Sequence, residues 1–327
     1  MTSGDGGVHN IGDQGLIAGR DMGASMTSGD GGVHNAGDHV TYHGPVAGRD
    51  MVFGGGPAAA PGPRSHAAAA GCADVGILTI LDEEIRAVIG ELRRMSGYHE
   101  RRLPHGPLAR TARTAGHDGR PVRIAAVQTL TRGTESAAEA YRGLVAEFDP
   151  STVLLVGVAG GVGDTVEVGD VVLSDEVISY DARREGADGV HRRGQAQAVA
   201  AGLGHRLNDF FAATPAVRQS PGDRSFRMHR GPIGSGNAVV TDAASEIRRW
   251  LRTFHEKVLA VETEAAGVAR SFHENVQRDS GPRGWLTVRG ISDTADSDKG
   301  HDHHAVAARH AAEVTTLLVP FLRFDRS

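Results

Sequence analysis

The sequence predicts an α/β fold from residue 74 onward: a three-layer α/β/α sandwich around a twisted, mostly parallel (mixed) sheet. Two observations support this prediction. Short continuous apolar runs, typical of strands buried on both faces, alternate with longer segments in which apolar residues recur every three or four positions, as on one face of a helix. Strands and helices that alternate along a chain pack as a parallel sheet covered on both faces.

The apolar runs and the helical spacing give each element in order. The predicted strands are residues 75–81, 122–128, 152–158, 171–177, 231–234, 258–261 and 285–291. The predicted helices are residues 85–92, 134–148 and 199–211, a helix from about 264, and 306–318. We expect a turn at residues 159–161, where two glycines follow the third strand. The sequence has no run of eighteen apolar residues, so it predicts no membrane-spanning helix.

Residues 1–53 are a glycine-rich tandem repeat, in which MTSGDGGVHN stands at 1–10 and again at 26–35. Their apolar residues occur singly, so the segment buries too little surface to offset its ordering entropy, and we expect a disordered tail. The alternative is a self-assembly motif, because glycine-punctuated polar strands pair with identical copies. Residues 54–73 are rich in proline, alanine and glycine and are predicted to be a linker. Residues 74–327 are then the globular domain.

The chain has a formal net charge of −5 and one cysteine, Cys72. An acidic balance argues against the basic surface that binds nucleic acid. One cysteine forms no internal disulfide, which suits a reducing compartment. The N-terminus has no charged segment followed by an apolar core. We therefore expect a cytoplasmic protein with neither a nucleic-acid nor a membrane partner.

Polar residues and glycines follow five of the predicted strands. In sheets of this class, ligands bind outside the carboxyl ends of the strands, so these residues are candidates for a site. Each segment taken alone has an ordinary explanation, since acidic residues suit the first turn of a helix and glycine pairs suit turns. The segments are Asp82-Glu83-Glu84, GVAGG at 157–161, GSGNAVV at 234–240, VETE at 261–264 and RGISDTAD at 289–296.

Together and in this order, these segments resemble the nucleoside phosphorylase and methylthioadenosine/S-adenosylhomocysteine nucleosidase superfamily. The resemblance covers residues 74–320, with GDVVLSDEVISYD following the glycine segment, and AVETEAAGVA and VRGISDTAD as the most specific motifs. It implies cleavage of the bond between a purine base and its ribose, by a homo-oligomer. The repeat at the N-terminus is similar to amyloid-like signalling motifs of bacterial immune proteins. That similarity implies a role in bacterial defence and a signalling partner.

The resemblance also implies roles for residues. Asp293 is expected to hold a proton for N7 of the purine, Glu84 to deprotonate the attacking water, and Arg289 to orient that water. Glu264 is expected to bind ribose hydroxyls, because the cleavage develops positive charge on the sugar. The remaining implied substrate contacts are Val239 and Val240, whose backbone reads the purine, and Glu262, Thr263, Ala159, Gly160, Ser292, Lys299 and His301.

Two other functions stay open. A phosphorylase needs a phosphate cradle, and Arg132-Gly133-Thr134 at a helix N-terminus is a candidate anion site. The carboxylates at 82–84 would repel phosphate, which favours water as the nucleophile. A nucleoside-sensing module without catalysis is the alternative of another class, although binding alone needs no acid such as Asp293.

Departures from the family pattern bear on the substrate. Thr263 stands where a methionine usually packs under the ribose, and Ala159 where a small polar residue is common, which disfavours thioether nucleosides. We expect Lys299 and His301 to meet the 5′ substituent, which adds AMP and ATP to methylthioadenosine and S-adenosylhomocysteine as candidates. The neighbouring histidines at 301–304 do not converge on one ion, so we expect no metal site. No cofactor is expected.

Overall fold

The computed structural model describes residues 32–36, 39–43, 71–104, 106–220, 222, 224–242, 244–275, 281–294 and 301–324, and at 32–43, 301 and 302 it describes the backbone alone. The chain divides into two compact units, Met1–Ser65 and His66–Ser327.

The first unit contains a short hairpin. Strand β1 (Gly32–Ala36) pairs antiparallel with β2 (His39–His43). β2 includes residues 40–43, by which the second copy of the repeat exceeds the first. The rest of the predicted repeat and most of the predicted linker lie outside the described residues, so the disordered tail and the linker stay predictions.

The second unit alternates strands and helices. Its strands are β3 (Val75–Thr79), β4 (Ser96–Arg102), β5 (Leu108–Ala115), β6 (Pro121–Gln128), β7 (Thr152–Gly161), β8 (Val171–Ser179), β9 (Arg183–Gly186), β10 (Gly189–Arg192), β11 (Gln195–Ala198), β12 (Val217–Gln219), β13 (Ser225–Ser235), β14 (Ala260–Glu262) and β15 (Gly284–Asp293). Its helices are α1 (Asp82–Leu92), α2 (Thr134–Phe148), α3 (Ala201–Ala213), α4 (Glu246–Phe254), α5 (Ala265–Asn275) and α6 (His301–Leu318), which a 3₁₀ turn at Val319–Phe321 follows.

Local sequence explains the elements beside the site. β3 is buried along its whole length, because helices cover both of its faces. α1 begins with three acidic residues, which the positive end of the helix dipole favours, and it turns Ile85, Val88 and Leu92 to the core. α2 ends at Asp149, which has a left-handed backbone with φ of 42°.

The main sheet combines parallel and antiparallel pairing. β3 lies between β6 and β7 and is parallel to both, and the antiparallel strands β5 and β4 extend the sheet beyond β6. On the other side, β7 pairs with β15, β15 with β8, β8 with β13, and β13 with β14. β14 then pairs antiparallel with β7. These five strands form a closed ring of pairings that curls this side of the sheet.

The α/β fold with a mixed sheet is confirmed, and several details differ from the prediction. β7 continues through residues 159–161, where a turn was expected, because Gly160 and Gly161 pair with β14. The strands β4, β5, β11 and β12, the hairpin β9–β10 and the helix α4 were not predicted, because their mostly polar residues form neither a continuous apolar run nor a clear helical spacing. α6 begins at His301 rather than at 306.

Helices cover both faces of the sheet. α1, α3 and α6 pack on one face, around a core that includes Val88, Leu207 and Val314. α2 and α5 pack on the other face, with Tyr141 and Phe272. No helix in the part of the chain that the structure describes is long and apolar enough to cross a membrane.

Candidate active site

A cavity of about 330 Å³ opens at the carboxyl ends of β3, β7, β14 and β15, beside the segment that follows β13. Each of the five segments singled out in the sequence contributes to its wall. The wall consists of Ile80, Leu81, Glu84, Arg132, Val158, Ala159, Gly160, Ala238, Val239, Val240, Thr241, Val261, Glu262, Thr263, Glu264, Ser292, Asp293 and His304.

Glu84 presents a buried carboxyl group to this cavity from the first turn of α1. Its Oε2 accepts hydrogen bonds from the backbone N–H groups of Ile80 (2.7 Å) and Leu81 (2.8 Å), and its Oε1 accepts one from Val158 (2.9 Å). Burial raises the pKa of Glu84, although Arg289 and these N–H groups favour the ionised form. A carboxylate with a raised pKa, fixed at a cavity wall, is suited to accept a proton from water.

Arg289 lies behind the wall, fully buried, between three glutamates. Its Nη2 contacts Oε2 of Glu262 and lies 3.1 Å from Oε2 of Glu264, while its Nη1 lies 3.9 Å from Oε1 of Glu84. Burial acts to lower the pKa of Arg289, but the surrounding carboxylates, with Glu262 foremost, raise it above its ordinary value. The guanidinium therefore holds the glutamates in place and does not itself reach the cavity.

Glu262 accepts hydrogen bonds from the backbone N–H groups of Glu264 (3.1 Å) and Ala265 (3.0 Å). Burial raises its pKa and the nearby Glu264 carboxylate raises it further, while Arg289 acts in the opposite direction. Three carboxyl groups thus share one guanidinium. We refer to Glu84, Glu262, Glu264 and Arg289 as the glutamate cluster.

Glu264 is fixed from two sides. Its Oε1 accepts hydrogen bonds from the N–H of Gly133 (3.1 Å) and from the hydroxyl of Thr263, and its Oε2 faces Arg289. A carboxylate held in this way keeps a fixed orientation at the cavity wall. Thr263, which replaces the methionine of the family pattern, thus bonds directly to this carboxylate.

Gly157 allows the glutamate cluster to assemble. It pairs with Arg289 in the register of β7 and β15. A Cβ at this position would lie 2.3 Å from both Oε1 of Glu84 and Nη1 of Arg289. Because both side chains are enclosed by packed neighbours, neither has room to retreat. The first glycine of GVAGG is therefore required by side-chain packing and not by a turn.

The segment that follows β13 is held by the residues that follow β8. The buried Tyr180 hydroxyl lies 3.0 Å from the carbonyl oxygen of Gly236 and 2.8 Å from that of Ala238. Asp181 accepts a hydrogen bond from the N–H of Asn237 (2.8 Å). The backbone beyond these anchors runs along the cavity wall through Val239 and Val240. Val239 leaves 71% of its surface exposed, which gives this wall an apolar edge.

The N–H groups at the start of α2 already have acceptors. Gly133 donates to Oε1 of Glu264 (3.1 Å), and Thr134 donates to Oδ1 of Asn237 (3.0 Å). The N–H of Val158 is likewise engaged by Glu84. A phosphate cradle needs such groups to face an anion. Here they bind side chains of the protein instead.

Asp293 is the last residue of β15 and lines the cavity beside Gly160. A Cβ on Gly160 would lie 3.3 Å from Oδ1 of Asp293, so the glycine leaves the space that the carboxyl group uses. The hydroxyl of Ser292 lies 3.3 Å from the carbonyl oxygen of Ala159 and 3.4 Å from Oδ2 of Asp293. These contacts tie the ends of β7 and β15 together.

Nearly all of the predicted site residues meet at this cavity. Asp293, Glu84 and the predicted contacts in the segments at 159–160, 239–240 and 262–264 line it, and so does Ser292. Arg289 is the exception among the described side chains, because it lies behind the glutamates. Lys299 lies outside the described residues, as does the side chain of His301.

Several wall residues were not predicted as substrate contacts. Ile80 and Leu81 end the first predicted strand, and their apolar side chains gave no signal beyond a core strand. The sequence indicates Arg132 only as part of a candidate phosphate cradle, and it indicates His304 only as a member of the histidine segment at 301–304, of which His301 alone is predicted as a contact. A signal for His304 was available, since its segment carries the other histidines of the predicted rim.

Comparison with known proteins identifies relatives of this arrangement. The family model of the Phosphorylase superfamily matches residues 74–323. ATP nucleosidase Cap17 of Escherichia coli (strain KTE188) is 28% identical over 215 residues, which cover 60% of this chain and 41% of that protein. The chain thus spans less than half the length of this relative. The 5′-methylthioadenosine/S-adenosylhomocysteine nucleosidase of Anoxybacillus flavithermus (strain DSM 21510 / WK1) is 28% identical over 192 residues, covering 57% of this chain and 76% of that one.

Solved structures share the fold. The S-adenosylhomocysteine nucleosidase of Streptococcus pyogenes, in complex with 5-methylthiotubericidin, superposes with a TM-score of 0.59 at 20% identity, covering 77% of this chain and 98% of that one. Futalosine hydrolase of Helicobacter pylori superposes with a TM-score of 0.58 at 18% identity, covering 75% and 96%. Because the family model matches well over half of the sequence, the chain belongs to the phosphorylase superfamily.

Proposed function

We propose that the chain hydrolyses the N-glycosidic bond of a purine nucleoside or nucleotide and releases the free base. One observation carries the choice of water as the nucleophile. The backbone N–H groups of Val158, Gly133 and Thr134, which a phosphate would need, donate to Glu84, Glu264 and Asn237. A phosphate bound at these N–H groups would have to displace the carboxylate of Glu84 or Glu264, and the remaining carboxylates of the wall would repel it.

The proposed mechanism assigns one task to each carboxyl group on the wall. Glu84, whose burial raises its pKa, positions water and accepts its proton. Glu264 accepts hydrogen bonds from ribose hydroxyls, and these strengthen as positive charge develops on the sugar. Asp293 supplies the proton that neutralises the leaving base at N7. Arg289 positions the glutamates, instead of orienting the water directly as the sequence suggested.

The purine is proposed to lie against the segment that follows β13. Backbone groups near Val239 and Val240 read the edge of the base, because Tyr180 and Asp181 hold this segment in place. The exposed side chain of Val239 covers one face of the ring. Asp293, at the end of β15, reaches N7 from the neighbouring wall.

The relatives support adenosine-type substrates and leave the 5′ group to be decided. One relative is named as a nucleosidase of ATP and another as a nucleosidase of methylthioadenosine and S-adenosylhomocysteine. Thr263 binds Glu264 here instead of presenting an apolar side chain. The absence of an apolar side chain at this position disfavours thioether nucleosides, and the relative named as a nucleosidase of ATP favours a nucleotide.

Incubation with adenosine, methylthioadenosine, S-adenosylhomocysteine, AMP and ATP, each with and without phosphate, tests the proposal. Chromatography should reveal free adenine in the absence of phosphate, together with free ribose or ribose phosphate. Base that appears only with phosphate, along with ribose 1-phosphate, would establish a phosphorylase instead. Binding of nucleoside with no release of base from any substrate would favour a sensing module.

Three further proposals concern the cellular compartment, the oligomeric state and the partner of the chain. The catalytic domain at 74–327 is proposed to act in the cytoplasm as a homo-oligomer. The repeat at 1–53 is proposed to join it to a signalling partner in bacterial defence, through the linker at 54–73. The hairpin β1–β2 supports a strand-forming role for the repeat.

A further inference from the structure

The charges on the cavity wall are unevenly distributed. The carboxyl groups of Glu84, Glu262, Glu264 and Asp293 surround the positions proposed for water, ribose and base. Among the described wall residues, the basic side chains are Arg132 and His304. A substrate that carries a negative charge is repelled by the first group unless its anionic end meets the second.

Arg132 enters the cavity from the loop between β6 and α2. The next residue, Gly133, donates its N–H to Glu264, so Arg132 is placed at the ribose side of the site. Its side chain is exposed and takes part in none of the ion pairs or hydrogen bonds of the described residues. It differs in this respect from Arg289, which three carboxylates surround.

His304 enters from the opposite layer, in the first turn of α6. Its Nδ1 lies 3.6 Å from Oε1 of Glu83, on α1, and its side chain is about one third exposed, at 35%. α1 and α6 pack on one face of the sheet and α2 packs on the other. Arg132 and His304 therefore approach the cavity from its two sides.

The position of the 5′ group follows from the walls that are already assigned. The base lies along Val239 and Val240, and the sugar hydroxyls face Glu264. The wall residues not yet assigned include Ile80 and Leu81, at the end of β3, and the two basic residues. β3 pairs with β6, so the turn after β3 and the loop that carries Arg132 are neighbours.

We propose that Arg132 and His304 form a subsite for the phosphate at the 5′ position of the substrate, which selects nucleotides over nucleosides. This inference rests on the proposed function. The guanidinium of arginine binds phosphate through two parallel hydrogen bonds, and histidine adds a third donor. An uncharged thioether would gain nothing from either side chain. This proposal uses only described residues and does not involve Lys299.

The test compares Arg132→Gln with wild type on ATP, AMP and adenosine. We expect the ratio of kcat/KM for nucleotide to that for nucleoside to fall roughly tenfold or more, because charge-assisted hydrogen bonds are lost. His304→Asn should lower the same ratio by a smaller factor. Arg142→Gln, on the exposed face of α2, is the matched control and should leave the ratio unchanged.

Three results would overturn the subsite: a wild-type enzyme that prefers adenosine to both nucleotides, an unchanged ratio in Arg132→Gln, or an equal loss on all substrates. Binding separates this failure from failure of the proposed function. If no base is released from any substrate, the hydrolase proposal falls. Calorimetric titration with ATP and adenosine then decides the subsite, since tighter binding of ATP should be lost in Arg132→Gln, and equal binding in wild type contradicts it.

Discussion

Two clusters of buried charge adjoin strand β15, and they are built differently. The glutamate cluster sets three carboxyl groups against one guanidinium. The second cluster sets a single carboxyl group against a single imidazole: Asp170 faces His229 with 2.7 Å between Oδ2 and Nε2. Asp170 also accepts N–H groups of Arg227 (2.8 Å) and Glu167 (3.1 Å). The backbone links this second cluster to β15, since the N–H of Ile291 donates to the carbonyl of Asp170 (2.8 Å).

The difference appears in the pKa values. Burial acts to raise the pKa of Asp170, but His229 and the backbone donors outweigh it and lower the pKa. In the glutamate cluster, burial prevails and raises the pKa of both Glu84 and Glu262. A lowered carboxyl pKa stabilises the fold at neutral pH, whereas a raised one costs stability as the pH rises. The pair of Asp170 and His229 is typical of a group that stabilises the fold. The glutamate cluster, in which carboxyl pKa values are raised, is typical of a catalytic site.

The largest effect is expected at the acid beside the glutamate cluster. Asp293→Asn should lower turnover by roughly a hundred- to ten-thousand-fold, because an amide hydrogen-bonds to the base but supplies no proton. Binding of nucleoside should persist, and steady-state assays with calorimetry measure both. Near-normal turnover would contradict the proposed mechanism and leave the glutamate cluster with a structural role only.

The next effect concerns stability. Arg289→Met should lower the free energy of unfolding by about 3–5 kcal/mol, because it leaves three buried carboxyl groups without their cation. Arg252→Met is the control: Arg252 pairs with Asp164 at 2.7 Å and both side chains are exposed, so its loss should cost about 1 kcal/mol or less. Denaturant unfolding measures the difference. Similar losses in both variants would show that the glutamate cluster does not depend on its guanidinium.

A smaller effect is expected on how the free energy of unfolding depends on pH, and it should differ between the two clusters. Asp170→Asn should cost about 1–3 kcal/mol at pH 7, because the buried donors lose a charged acceptor. The pKa of Asp170 is lower in the folded state than in the unfolded one, so its contribution is present above the unfolded value, about 3.9, and is lost as the pH falls through the folded value. The stability of wild type and variant should therefore converge in acid.

Glu84→Gln is the comparison for that experiment. The pKa of Glu84 is raised above its ordinary value of 4.5, so its contribution to stability declines as the pH rises above that value. Replacing Glu84 should remove this decline, and the stability of the variant relative to wild type should improve toward neutral pH. Parallel curves for Asp170→Asn and Glu84→Gln would erase the distinction between the clusters.

The smallest effect on chemistry is expected from the N-terminal unit. A chain that starts at Gly71 should keep full specific activity, because every wall residue follows it. Assembly should be lost, since the repeat presents the same ten residues twice. Activity assays and sedimentation measure these outcomes, with thioflavin staining of the isolated tail peptide. A truncation that abolishes activity would place the domain boundary elsewhere.

The sequence predicted the central strands and the order of the site segments, for physical reasons. Four central strands are buried on both faces, so each is a continuous apolar run that can be recognised in the sequence: β3, β6, β7 and β15. A strand at 258–261 was predicted, but the ring closure through β14 was not, because the sequence does not show that this strand pairs with both β13 and β7. The edge strand β4 is largely exposed, and its neighbour β5 carries mixed residues of which only a few are buried, so neither forms a clear apolar pattern.

The burial of Arg289 behind the cavity wall could not be predicted from the sequence either. An arginine in the second half of a predicted strand is as compatible with a cavity wall as with a buried cluster. Its burial depends on the register that sets it opposite Gly157, and on the absence of a Cβ there. Register between distant strands is a tertiary property. The hydrogen bond from Thr263 to Glu264 could not be predicted either, because it depends on the directions of the two side chains in the folded protein.

The anchored N–H groups of Val158, Gly133 and Thr134 have a consequence for protein engineering. A designer who wished to replace the proposed water with phosphate as the co-substrate would have to release all three from Glu84, Glu264 and Asn237. Releasing the first means removing Glu84, and Glu84 rests against Gly157 and Arg289, so each step alters a neighbour. Intermediates along that route would lack both the water site and the new anion site. The two chemistries are therefore separated by a barrier of several simultaneous substitutions.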